Sequence, residues 1–146
     1  MAFKALQRNL RSAKLFEVAL SDHDGTSKFF LATADADSSL FQPDGQHESI
    51  TVRTERLDSR LAELGRPERI RLLKIEAEGF EPEILSGSQE ALERVEYLAV
   101  DAGPERGGEN TVPGVLNALA GTDFEVISCF LERGTFLFRR RALPEG

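Results

Sequence analysis

Short apolar segments alternate with amphipathic helical segments along most of this 146-residue chain, and this alternation constrains the fold more than any other feature. It favours a parallel sheet with helices on both faces, and the last two apolar segments carry a hairpin signal. The sequence therefore predicts an α/β fold with a mostly parallel sheet and a C-terminal antiparallel hairpin. The predicted strands are residues 14–20, 28–31, 50–53, 70–75, 97–100, 124–130 and 135–138; the predicted helices are residues 2–11, 57–64, 82–95 and 112–119; a long loop is predicted at residues 32–48.

Length and composition indicate a single globular domain over residues 1–146. Hydrophobic residues make up 40% of the chain and charged residues 29%, which is typical of globular proteins. The net charge of −7 repels phosphate backbones, so nucleic acid is not an expected partner. No apolar run has the length of a membrane span, and the first residues lack a signal-peptide core, so we expect a cytoplasmic protein without a membrane partner. The three arginines at positions 139–141 are expected to form a solvated tail.

No pattern of metal ligands is found in the sequence. Cys129 is the single cysteine, so it forms no internal disulfide, and it has no Cys or His neighbour at ligand spacing. His23 and His47 fall in predicted loops and also lack partners at metal spacing. We therefore expect no metal site, and we expect both histidines to be solvated.

The most informative segment is LLKIEAEGFE at residues 72–81, where Lys74, Glu76 and Glu78 cluster at the end of an apolar strand. In open α/β sheets, ligands bind outside the carboxyl ends of the strands. Carboxylates at that position can accept a substrate hydroxyl proton, bind sugar hydroxyls or hold a cation. Asp101 follows the next predicted strand and is a candidate substrate-binding residue on the same rim. The alternatives are that the glutamates are solvated strand-end charges paired with Lys74, and that Asp101 is a structural turn acid.

Four motifs in the same order resemble the FkbM-type S-adenosylmethionine-dependent methyltransferases. LLKIEAEGFEPEIL at residues 72–85 is similar to that family's L-K-x-D-x-E-G-x-E segment and the helix after it. VALSD at residues 18–22, with Gly25, resembles its A-L-S-D-x-x-G strand end. SSL at residues 38–40 resembles its S-S-L loop, and residues 52–58 resemble its V-x-x-x-x-L-D segment. Together the motifs span roughly residues 3–130.

The resemblance implies a Rossmann-like class I methyltransferase fold with S-adenosylmethionine as cofactor. It also implies O-methylation of a hydroxyl on a sugar or other small natural product. Carried over by motif, Glu76, Glu78 and Lys74 are the catalytic candidates, with Glu76 as the general base or hydroxyl-binding group. Gly79 is expected to allow the sharp turn from strand to helix.

The earlier motifs supply further candidates. Ser21 and Asp22 are candidates for cofactor contact, the alternative being a plain turn. Asp58 lies at the start of the helix predicted at residues 57–64, and we expect it to cap that helix.

The chain departs from the family pattern in two ways. The pattern usually has Asp where this chain has Glu76, and the longer side chain moves the carboxylate by about one carbon–carbon bond. The family's D-x-G-A-x-x-G loop, which lets the backbone approach the cofactor, is not found. The resemblance therefore implies a domain that lacks its first two strands and the helix between them. We expect such a domain to be incomplete as an isolated chain, with exposed sheet edges through which a homodimer can form.

Two other functions stay open from the sequence. One is a non-catalytic remnant or assembly module that keeps the fold without binding the cofactor. The other is an unrelated α/β binding domain whose acidic strand end holds a cation.

Overall fold

A computed structural model describes residues 2–10, 12–31, 38–42, 47–130, 132 and 134–142, so most of the loop predicted at residues 32–48 lies outside the described residues. Strands and helices alternate as predicted, although several bounds differ. The described helices are α1 (Ala2–Asn9), α2 (Leu57–Glu63), α3 (Glu81–Ser86), α4 (Gln89–Leu92) and α5 (Val112–Ala118); the described strands are β1 (Ala19–Leu20), β2 (Gly25–Phe30), β3 (Ser49–Glu55), β4 (Ile70–Ile75), β5 (Val95–Asp101), β6 (Phe124–Phe130) and β7 (Thr135–Arg140).

The strands form two mixed sheets, in the orders β1-β3-β2 and β4-β5-β7-β6. The pairs β1–β3 and β4–β5 are parallel, whereas β2–β3, β5–β7 and β6–β7 are antiparallel. The α/β class and the C-terminal hairpin are confirmed, but the prediction of a mostly parallel sheet is wrong. No helix is described between β2 and β3, so the chain returns antiparallel, and β7 inserts between β5 and β6 and presents an antiparallel edge to β5.

Strand β4 is less buried than its apolar sequence predicts. Of its six residues only Ile75 is buried, and Leu72 is 56% exposed. The strand lies at the edge of its sheet, and its described pairing is with β5 alone. Continuous apolar sequence suggested a strand covered on both faces, but an edge strand is covered only where other elements reach it.

The helix predicted over residues 82–95 is two helices, α3 and α4, joined at Gly87 and Ser88. Gly87 has an ordinary φ of −80°, but a Cβ added to it would lie 2.0 Å from the carbonyl oxygen of Ser21. The turn after β1 therefore passes directly against the helix junction. The two helices bury Ile84, Leu85, Ala91 and Leu92, and Val95, the first residue of β5, is buried as well.

Asp58 caps a helix other than the one predicted. It is buried in the first turn of α2, where no side-chain cap bond is formed. Its carboxylate instead accepts hydrogen bonds from the backbone N–H of Ala91 at 2.8 Å and of Glu90 at 3.2 Å, at the start of α4. The predicted capping role of Asp58 is therefore confirmed, but the helix that it caps is α4 and not α2. We call the group Ser21, Asp58, Gly87 and Ala91 the seam.

The expectation of a solvated arginine tail is wrong for Arg140. This residue belongs to β7, and its side chain is only 7% exposed. The guanidinium donates to the carbonyl oxygen of Leu92 at 2.6 Å and of Val95 at 3.2 Å, and it stacks over the ring of Phe124. Arg140 thus satisfies carbonyls where α4 ends and β5 begins.

The core lies between the second sheet and helices α3, α4 and α5. Its residues are Ile75, Ile84, Leu85, Leu92, Val95, Leu98, Val100, Ala102, Val115, Leu119 and Phe138. This packing fixes the carboxyl ends of β4 and β5 beside each other, and the candidate site lies there. Among the described helices, none is long and apolar enough to cross a membrane.

Candidate functional site

An open cavity of about 570 Å³ lies between the two sheets. Residues 18–20, at the end of β1, form one wall, and residues 74–78, which continue from β4, form another. Phe80 and Ile84 add apolar surface. The volume falls in the range of small-molecule sites, and the cavity lies at the carboxyl end of β4, where ligands bind in α/β sheets.

Lys74, which lines this cavity, joins two acids, of which Glu76 lines the cavity as well. Its Nζ donates to Asp101 Oδ2 at 2.6 Å and to Glu76 Oε2 at 3.1 Å. Parallel pairing of β4 with β5 brings the three residues together, because both strands end at the same edge. The Glu76 side chain is 62% exposed, whereas that of Asp101 is 24% exposed. We call Lys74, Glu76 and Asp101 the rim cluster.

Charge pairing keeps Lys74 and Asp101 ionised. Burial acts to raise the pKa of Asp101, but hydrogen bonds from Lys74 and Thr135 outweigh it, so the pKa is lowered. Burial acts to lower the pKa of Lys74, but its bonds to Asp101 and Glu76 leave that pKa raised. Lys74 is therefore an ammonium group that orients two carboxylates. Of the two, Glu76 is the more accessible to a ligand hydroxyl.

The turn formed by residues 77–79, which we call the clamp turn, follows Glu76 directly and is held from several sides. Glu78 has a φ of +49°, and Gly79 has a φ of +97°. Ser39 Oγ lies 2.7 Å from the Glu78 carbonyl oxygen and 3.3 Å from that of Ala77. Glu81 Oε1 accepts the N–H of Ala77 at 2.8 Å and that of Gly79 at 3.3 Å. A non-glycine residue with positive φ persists only where its surroundings fix the backbone, as these contacts do.

The loop after β5 packs on the other side of the clamp turn. Arg106 Nε donates to the Gly79 carbonyl oxygen at 2.5 Å, and its guanidinium also pairs with Glu83 and lies over the Phe41 ring. A Cβ at Gly79 would lie 3.2 Å from Arg106 Cγ, so this loop leaves little space there. Gly79 thus provides the sharp turn expected of it, and it also lets the loop after β5 approach closely.

Ser21 and Asp22 lie just beyond β1 but do not line this cavity as described. Ser21 is fully buried, and its Oγ donates to Asp22 Oδ1 at 3.0 Å. His23 Nδ1 lies 2.7 Å from the same oxygen, and these hydrogen bonds lower the pKa of Asp22 despite its partial burial. His23 is about half exposed, so it is both solvated and bonded. Asp22 is the more accessible of the two cofactor candidates.

Metal binding finds no support in the described part of the chain. No group of three or more His, Cys, Asp or Glu side chains there is arranged to hold a metal ion. The acids of the rim cluster are paired with Lys74 instead.

Comparison with known proteins identifies the family. A family model described as the methyltransferase FkbM domain matches residues 2–136. This chain belongs to the FkbM methyltransferase family. It is 27% identical over 135 residues to the 2-O-methyltransferase NoeI of Sinorhizobium fredii, a match that covers 80% of this chain and 54% of NoeI. The chain therefore spans about half the length of this curated relative. No solved structure matches it significantly.

Two of the FkbM motifs prove to be mainly structural in this chain. The L-D motif supplies Asp58, whose carboxylate caps α4. The S-S-L motif supplies Ser39, whose hydroxyl bonds to the clamp turn. The K-x-E-x-E-G motif supplies Glu76 and Glu78, which line the cavity.

The sequence did not predict three side chains that pack against the clamp turn. Glu81, Glu105 and Arg106 were not among the candidates. A signal for Glu81 was available, because an acid in the first turn of a helix commonly accepts backbone N–H groups just before that helix. No comparable signal marked Glu105 or Arg106, since both reach the turn only through the tertiary fold.

Proposed function

We propose that this chain supplies the acceptor-binding side of an S-adenosylmethionine-dependent O-methyltransferase that acts on a hydroxyl of a sugar or other small natural product. The observation that carries this proposal is the rim cluster, which presents an exposed carboxylate beside a fixed ammonium at the mouth of a cavity. Membership of the FkbM family supports methyl transfer, and the printed activity of NoeI, a 2-O-methyltransferase, supports oxygen as the methylated atom.

Transfer to oxygen requires a positioned hydroxyl and a group that takes its proton. In this proposal Glu76 accepts a hydrogen bond from the acceptor hydroxyl and then takes its proton. Lys74 holds Glu76 in place and, with Asp101, offers hydrogen bonds to neighbouring hydroxyls. Glu78 lines the same cavity.

The described residues do not complete a site for S-adenosylmethionine. Ser21 is buried with its hydroxyl bonded inside the turn, and no glycine-rich loop follows a strand at the cavity wall in the described ranges. We therefore assign Asp22, supported by Ser21, as a cofactor contact that acts only once the site is completed.

Two strand edges beside the cavity support it as the place where the site is completed. Among the described strands, β1 pairs only with β3, and β4 pairs only with β5. Strands β1 and β4 therefore each have one unpaired edge, and residues of both strands line the same cavity. Edge strands offer backbone N–H and C=O groups to another chain segment. We propose that additional strands fill this gap, either from a segment that carries the glycine-rich loop or from a second copy of this chain.

The first experiment is a calorimetric titration with S-adenosylhomocysteine. The chain is measured alone and after mixing with a separate segment that carries the D-x-G-A-x-x-G loop. We expect saturable binding only in the mixture, or at protein concentrations where a homodimer forms. Absence of binding in both conditions, in a chain shown to be folded, supports the non-catalytic assembly module instead.

Acceptor-side roles are tested on the preparation that binds the cofactor. Glu76→Gln is expected to lower methyl transfer by about 100-fold, the usual loss for a general base. Glu68→Gln is the matched control, because Glu68 is exposed and lies outside the cavity lining. Equal activity of the two variants contradicts the role given to Glu76.

A further inference from the structure

A short segment, residues 38–42, contacts both the cavity and the clamp turn, and we call it the wall segment. Its side chains alternate between the two, as those of an extended chain do. Ser38 and Leu40 line the cavity. Between them Ser39 is buried, and its hydroxyl donates to the Glu78 carbonyl oxygen at 2.7 Å. The bond that Ser39 makes to the clamp turn therefore keeps its two neighbours at the cavity.

Among the described contacts, side chains rather than backbone pairing hold the part of the wall segment beyond Ser39. The backbone pairing described for the segment is one antiparallel bridge, in which Ser39 and Phe30 exchange N–H···O bonds of 3.1 and 2.8 Å. An isolated bridge fixes one residue but not the course of the residues after it. The next anchor is the ring of Phe41, whose centroid lies 5.3 Å from the guanidinium carbon of Arg106.

Arg106 joins the wall segment to two other elements. Its Nε donates to the Gly79 carbonyl oxygen at 2.5 Å, and its Nη2 pairs with Glu83 of α3. The Arg106 side chain is 18% exposed, so these contacts are largely shielded from water. A guanidinium can make all three contacts at once, because its donors lie in its plane while its face packs on the Phe41 ring. A lysine ammonium has no such plane.

We propose that Arg106 and Phe41 are positioning residues that dock the wall segment and thereby select the acceptor. The selection of an acceptor rests on the proposed function, whereas the docking of the wall segment does not. When the segment is docked, Leu40 adds apolar surface and Ser38 adds a polar group to the cavity that Glu76 also lines. Such a cavity suits a ring that presents hydroxyls to the acid and C–H groups to Leu40. The position of the wall segment then limits the width of the acceptor that fits.

Docking of the wall segment is tested by hydrogen exchange of the Phe41 amide, which donates to Ser39 Oγ at 3.1 Å. Arg106→Lys keeps a positive charge beside Glu83 but loses the planar contact with the Phe41 ring. We expect exchange of the Phe41 amide to become about tenfold faster in this variant, the effect of losing one partly buried guanidinium–ring contact.

Arg60→Lys is the matched control. Arg60 is 15% exposed, pairs with Glu55 and has its guanidinium carbon 4.6 Å from the centroid of the Phe16 ring, so the same chemistry is removed. These three residues lie outside the described lining of the cavity. Exchange of the Phe41 amide should not change in Arg60→Lys. Equal acceleration in the two lysine variants, or none in Arg106→Lys, overturns the inference.

Phe41→Leu tests the same contact from its other side, and it serves if Arg106→Lys fails to fold. It removes the ring but leaves Arg106 bonded to Gly79 and Glu83. The amide of residue 41 should again exchange about tenfold faster. Because both substitutions break one shared contact, the double variant should show less than the product of the two single effects. A full product would show that the ring and the guanidinium act independently, which contradicts the proposal.

Acceptor selection is tested by kinetics on the preparation that binds the cofactor. Phe41→Leu should raise KM for the acceptor about fivefold and change kcat by less than about twofold, because the clamp turn keeps its bond to Arg106. Phe16→Leu is the control and should leave KM unchanged. A loss of kcat with KM unchanged in Phe41→Leu contradicts acceptor selection. Hydrogen exchange does not require methyl transfer, so failure of the proposed function and failure of the docking are distinguishable.

Discussion

The seam and the rim cluster both depend on carboxylates, but the two regions use them in opposite ways. At the seam, Asp58 is buried, accepts two N–H groups at the start of α4 and pairs with Arg56. At the rim, Glu76 and Asp101 are held by Lys74 at the surface of a cavity. The comparison shows that a motif acid near a cavity is not necessarily part of its chemistry. Burial and hydrogen-bond partners separate the two roles.

The largest expected effect is at the seam, in Gly87→Ala. The added Cβ would lie 2.0 Å from the Ser21 carbonyl oxygen, so the turn after β1 or the α3–α4 junction must move. We expect a loss of about 3 kcal/mol in the free energy of unfolding, measured by urea denaturation. Gly103→Ala is the control, since its nearest contact would be an ordinary 3.9 Å. Similar stability of the two variants would show that the seam tolerates a shift.

Asp58→Ala should come next, with a loss of about 2 kcal/mol. The substitution leaves the N–H groups of Glu90 and Ala91 without their acceptor at the start of α4. Urea denaturation compares it with Glu63→Ala, in which an exposed acid of the same helix is removed. If α2 rather than α4 loses amide protection in Asp58→Ala, the capping assignment is wrong.

Arg140→Met tests whether the buried arginine is structural. The apolar replacement fills a similar volume but no longer donates to the carbonyl oxygens of Leu92 and Val95. We expect a loss of about 1 kcal/mol in unfolding free energy. Arg139→Met, at a half-exposed position paired with Glu125, should change stability by less. If Arg139→Met lost more stability than Arg140→Met, Arg140 would be a solvated tail residue, as the sequence predicts.

The smallest effect on stability is expected at the rim, for Asp101→Asn. The lowered pKa of Asp101 means that its ionised form adds stability above its ordinary value of 3.8, and this contribution is lost as the pH falls through the folded-state pKa. The wild type should therefore exceed the variant by less than about 1 kcal/mol at pH 7, and the difference should shrink below pH 3. Thermal unfolding at both pH values measures this, with Asp123→Asn as an exposed control. A difference that grows in acid contradicts the pairing with Lys74.

The rim cluster was predictable to a large extent, because its residues follow strands whose ends can be located from apolar periodicity. The sequence alone predicts Lys74, Glu76 and Asp101 as candidates, and parallel pairing of β4 with β5 brings them within hydrogen-bonding distance. Ser21 and Asp22 were placed correctly in a turn after β1. Their contact with a cofactor stays a prediction.

The sequence by itself determined the order of strands and helices, the C-terminal hairpin and the acids at the end of β4, because these follow from local periodicity and turn chemistry. The tertiary structure alone decided sheet direction, the helix that Asp58 caps, the burial of Arg140 and the contact of Arg106 with Gly79. Each of these depends on which segments lie side by side across tens of residues. Local sequence limits what a residue can bond to, but packing selects the partner.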